Sequence, residues 1–111
     1  MAGPEELRLV EVYLEARYKC TALAARARRE GLTGLASRLK PALDTLCGEI
    51  RELLVSAGLD RAPARFDPAL LGEPLESLER KCREAAVRAA ASGSRAARLL
   101  LDAAGRGLGE G

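Results

Sequence analysis

The chemistry open to this chain starts with its three thiols, Cys20, Cys47 and Cys82. No histidine accompanies them, and Trp, Asn and Gln are also absent. A catalytic cysteine usually takes its thiolate character from a neighbouring imidazole. A structural zinc needs four ligands at close spacing, such as CxxC, and here a fourth is missing. The reading adopted is that all three cysteines are reduced and serve as small buried hydrophobes. A Cys20–Cys47 disulfide is the sharper alternative, because both lie at similar heights counted from a turn at Gly31. The carboxylates offer little more. Glu49-Ile50-Arg51-Glu52 comes nearest to the inward acids of a di-iron bundle, but no His follows it. Gly105-Arg106-Gly107 follows no strand and is not a phosphate loop. No enzyme activity, cofactor, metal or small-molecule substrate is therefore expected.

The remaining chemistry is cationic. Of 18 basic residues only Lys19, Lys40 and Lys81 are lysines. Arginine stays charged and grips phosphate or carboxylate in two-point contacts. Arg26, Arg28, Arg29, Arg38, Lys40, Arg95 and Arg98 are the candidate anion-binding set. The aromatics, Tyr13, Tyr18 and Phe66, lie away from it. Binding there would read the nucleic-acid backbone without base stacking, and would weaken with salt.

Helices must position these groups. Pro4, Glu5 and Glu6 read as a helix start, and Leu9, Tyr13, Ala16, Cys20, Leu23 and Ala27 recur at three-four spacing. The first helix covers about residues 4–30, ending at Gly31. Thr33 is the expected cap of a second, over about 33–57. Its stripe of Leu35, Leu39, Leu43, Leu46, Ile50, Leu53 and Ala57 runs through Pro41, which predicts a kink rather than a break. Residues 58–73 form a connector pinned by Phe66, Leu70 and Leu71. Pro74 starts a third helix over about 74–104, along Leu75, Leu78, Cys82, Ala85, Ala89, Ser92, Ala96, Leu99 and Ala103. Because this phase survives Ser92-Gly93-Ser94, one continuous helix is favoured over a split near Gly93 that would give a fourth. A glycine-rich tail, 105–111, should fray. The fold class is all-α: one domain, an antiparallel bundle of three long helices.

If the helices alternate in direction, charge gathers at the ends. Residues 17–40 are basic, with Glu30 their only acid, and so are residues 80–106. Glu5, Glu6, Glu11 and Glu15 precede the first run; Glu73, Glu76 and Glu79 precede the second. Alternation puts the Gly31 turn and the end of helix three at a basic pole, and the acids at the other. Helix-dipole complementation and i,i+4 pairs such as Glu15–Lys19 explain much of this order. Val12, Val55, Val87 and Leu101 fall off the core stripes and mark a second apolar surface.

The expected function is a non-catalytic interaction or assembly module, a homo-oligomer or a small subunit of a larger complex. The alternative is sequence-nonspecific binding of the nucleic-acid backbone at the basic end. No apolar run reaches the ~20 residues of a membrane span, and Met1–Glu6 lacks a signal-peptide pattern. Those observations predict no membrane partner and a cytoplasmic setting. The lack of thermolabile Asn and Gln leans toward a thermophile.

Overall fold

The computed structural model describes residues 3–105. They form α1 (Pro4–Arg29), α2 (Thr33–Ala57), a 3-10 turn (Pro68–Gly72), α3 (Leu75–Ala91) and α4 (Arg95–Gly105), with no strand among the described residues. The all-α class and the boundaries of the first two helices stand as expected. The tail beyond Gly105 lies outside the described residues.

The third helix is split, not continuous. Gly93 has φ +106°, a conformation that side chains with a Cβ rarely adopt, and it lets Ser94 N–H donate to Ala89 C=O and close α3. The break resets the helical phase. Ser92 and Leu99, both on the expected stripe, are exposed, and Ala96, Ala97, Leu100, Ala103 and Ala104 form the buried face of α4. α1 packs on α2 and α3, and α4 packs on α2 and α3. The four helices thus close a ring around one core.

The core is rich in alanine, with Leu14, Leu23, Leu35, Leu39, Leu46, Ile50, Leu78 and Leu100 as its large buried side chains. Small residues let the helix axes approach closely, and the leucines then fill the layers between them. α2 runs unbroken through Pro41. Ser37, one turn earlier, loses its amide partner to the proline ring, but both residues face solvent and water can serve the carbonyl. Leu32, not Thr33, occupies the cap position of α2, and no side chain bonds there.

The direction of α3 differs from expectation. Cys20 meets Cys82, Glu15 meets Arg88, and Arg26 reaches the carbonyl of Glu73. α3 therefore starts beside the end of α1 and runs antiparallel to it, in the same sense as α2. The connector makes this possible by returning along α1. Tyr18 Oη donates to the Ala64 carbonyl at 2.9 Å, the Tyr18 and Phe66 rings meet edge to face, and Leu70 is buried. The Arg26 guanidinium donates to the Leu71 and Glu73 carbonyls at 2.8 and 2.5 Å and holds the connector's far end.

Candidate functional site

A cleft of about 420 Å³ lies between α1, the connector and the start of α3. α1 supplies Glu11, Glu15, Tyr18 and Lys19, one turn apart or adjacent on the helix surface. The connector supplies Ala64, Arg65, Asp67 and Leu70, and Glu73 and Lys81 close the far wall. Leu70 can lie on the floor because Asp67 accepts from the Ala69 amide and winds the chain into the 3-10 turn.

Ion pairs organise the walls. Lys19 Nζ lies 2.5 Å from Glu15 Oε1, which also receives Arg88, and Lys81 Nζ lies 2.6 Å from Glu73 Oε2. Ser77 Oγ donates to the other oxygen of Glu73 at 2.7 Å. The hydrogen bond from Lys19 is the main cause holding the Glu15 carboxyl below the usual carboxylate range. For Glu73 the Lys81 hydrogen bond comes first and the Ser77 hydroxyl second. On the other side of α1, burial and then the nearby Glu49 carboxylate push the Tyr13 hydroxyl above its ordinary value. These three groups all shift away from neutrality, opposite to what a general acid or base needs.

Glu49 of the Glu49-Ile50-Arg51-Glu52 segment bonds to the start of α4. It accepts from Ser94 Oγ at 2.6 Å and from the Arg95 and Ala96 amides at 3.0 and 3.4 Å. Ser94 Oγ in turn accepts from Ala97 N–H. A carboxylate from α2 thus caps the positive end of α4.

The expected basic pole is not assembled. Because α3 starts at the Gly31 end, Glu73, Glu76 and Glu79 lie there among the arginines rather than at the opposite end. Arg26 is bound to Glu30 and to the connector carbonyls. Lys40 pairs with Asp44, and Arg38 Nε donates to the Ala103 carbonyl at 3.3 Å. Arg28 and Arg29 are exposed at the end of α1, and Arg95 and Arg98 are exposed along α4, without ion pairs among the described residues. α1 and α4 sit on opposite corners of the ring, which separates Arg28 and Arg29 from Arg95 and Arg98, while Arg38 and Lys40 lie on α2, which packs on both.

The expected apolar surface also changes. Val12 and Leu101 pack against the core, while Val55 (75% exposed) and Val87 (55%) stand on separate helices. Leu99, which the three-four spacing assigns to the core, is 48% exposed. It lines a groove of about 250 Å³ between α2 and α4 with Pro41, Ala42, Ala103, Arg38 and Asp102.

The cysteine pairing is a further correction. Cys20 and Cys82, both fully buried, form a disulfide, and Cys47 is a free, half-buried thiol. Neither three reduced thiols nor a Cys20–Cys47 bond is found. The reason is register. Tyr13 of α1 lies near Glu49 of α2. Seven residues closer to the turn, Cys20 is level with residue 42, about 7 Å along the axis from Cys47. The antiparallel α3 instead brings Cys82 directly across.

The molecule is thus defined as an all-α bundle, and no helix among the described residues is long and apolar enough to cross a membrane. Comparison with known protein families, curated sequences and solved structures returned no match.

Proposed function

We propose that this chain is a non-catalytic helical interaction module, acting as a homo-oligomer or as a small subunit of a larger assembly. The observation that carries this reading is the α2–α4 groove, where Leu99 stands half-exposed beside Pro41. A large aliphatic side chain at the rim of an alanine-floored concavity is a natural anchor for a partner helix. The reactive groups support a non-catalytic role. Two thiols are locked in a disulfide, and the shifted carboxylates and tyrosine are tuned away from proton transfer at neutral pH. A cytoplasmic setting in a thermophile fits the lack of Asn and Gln, and the cytosol of hyperthermophiles tolerates a disulfide such as Cys20–Cys82.

Sedimentation velocity over a wide concentration range tests the self-association arm. Association lost on Leu99→Glu, but kept on Val87→Glu, supports the groove. A strictly monomeric wild type sinks self-association. Cross-linking of the tagged chain in its native cells then tests the subunit arm, which fails if no cross-link depends on Leu99.

Nucleic-acid backbone binding is the second reading, favoured by Arg28, Arg29, Arg95 and Arg98, which are exposed and have no ion pair among the described residues. Fluorescence anisotropy with single-stranded RNA and duplex DNA checks it. Binding should fall steeply with salt and vanish in Arg28→Glu/Arg29→Glu; no binding at low salt removes the reading.

A further inference from the structure

The cleft between α1, the connector and α3 has no part in the interaction reading, and its lining carries unused hydrogen-bonding capacity. Each lysine ammonium has three donors. Lys19 and Lys81 each show one bond, to Glu15 and Glu73. Arg65 is exposed and has no ion pair among the described residues. On the acidic side, Glu11 has no partner among the described residues, and Asp67 uses one oxygen on the Ala69 amide and leaves the other open. Tyr18 and Leu70 place apolar surface between these groups.

Charge selects the kind of guest. A simple anion drawn to Arg65, Lys19 and Lys81 would also meet the open carboxylates of Glu11 and Asp67. A simple cation drawn to those carboxylates would meet Arg65 and the ammoniums. A molecule carrying both charges satisfies both sets, with an aliphatic part left for Tyr18 and Leu70. The volume, about 420 Å³, matches that of roughly fourteen liquid waters and admits a molecule of about a dozen heavy atoms. Pockets of this size bind small molecules elsewhere.

We propose that the cleft is a binding site for a small zwitterion of dipeptide size, its carboxylate held by Arg65 with Lys19 and Lys81, its ammonium by Glu11 and Asp67. The walls are already braced by the Lys19–Glu15 and Lys81–Glu73 pairs, so the two ammoniums need little reorganisation. The disulfide reinforces that bracing, since Cys20 and Cys82 adjoin Lys19 and Lys81 in sequence and tie the two walls together.

The test is an amide-resolved NMR titration of the full chain with three probes: glycyl-leucine, its N-acetyl derivative and its C-terminal amide. Glycyl-leucine should give saturable shifts at the amides of Glu15, Lys19, Asp67, Leu70 and Lys81. Blocking either end removes one charged contact and should weaken binding about tenfold or more. Glu11→Gln and Arg65→Gln, both at exposed positions that leave the core intact, should each weaken glycyl-leucine by a similar factor. Absence of saturable shifts, shifts confined to other surfaces, or equal affinity for all three probes would overturn the proposal. So would binding unaffected by both substitutions.

Discussion

Reduction of the Cys20–Cys82 disulfide is the sharpest perturbation available. The bond links positions 62 apart, spanning α2, the connector and the first turns of α3. Closing a loop of that length restricts the unfolded chain by about 4 kcal/mol in the chain-entropy account, and measured disulfides commonly give about 2–4. Reduction is a cleaner test than substitution, because two buried thiols keep almost the same volume and leave no cavity. For a chain of 111 residues a loss of that size lowers the melting temperature by roughly 10–20 °C. The assay is thermal unfolding by circular dichroism, with and without a phosphine reductant, in a Cys47→Ser background that prevents disulfide exchange. The sulfurs are fully buried, so reduction should proceed only as fast as the bundle opens, and should accelerate in mild denaturant. Thiol titration of the denatured, unreduced wild type should count one thiol per chain. A count of three, or a melting temperature that moves by less than about 3 °C on reduction, would refute the reasoning.

Three further outcomes follow from named contacts. Glu49→Ala removes the carboxylate that caps α4; it should cost about 2 kcal/mol and speed hydrogen exchange first in α4, and Glu49→Gln should lower the Tyr13 titration point, read by ultraviolet absorbance. Gly93→Ala has room for its methyl group, with the Tyr13 hydroxyl at 3.8 Å, so the expected loss of about 1–2 kcal/mol comes from the positive φ alone and is checked by chemical denaturation. Glu15 and Glu73 have folded-state pKa values below their unfolded ones; their stabilisation is complete above the usual carboxylate range and is lost as pH falls through the depressed values, so Glu15→Gln/Glu73→Gln should flatten stability against pH on the acid side, measured by denaturation at several pH values.

The helical faces were legible because helix burial follows a period of 3.6, and that period needs no partner to be read. Tyr13, Ala16, Cys20, Leu23 and Ala27 in α1 and Leu35, Leu39, Leu46 and Ile50 in α2 are buried as their spacing requires. Phe66, Leu70 and Leu71 hold the connector to the bundle because they are large apolar side chains in an otherwise turn-rich segment. The break at Gly93 was visible as a glycine between two serines, but the phase carried across it in sequence, and only the resulting fold exposes Leu99 and turns Leu100 inward.

The direction of α3 was not legible. A connector of this length can cross at one end of a bundle or travel back along it, and the choice depends on contacts between distant residues: Tyr18 with Ala64 and Phe66, Arg26 with Leu71 and Glu73. That choice pairs Cys20 with Cys82, disperses the expected basic pole and creates the cleft, since Glu11, Arg65 and Lys81 share no sequence neighbourhood. Local periodicity thus determined the helices and most of their buried faces, because each face is a property of one segment. Tertiary structure alone decided handling of charge, disulfide pairing and the candidate site, because each requires segments far apart in sequence to take one relative direction and register.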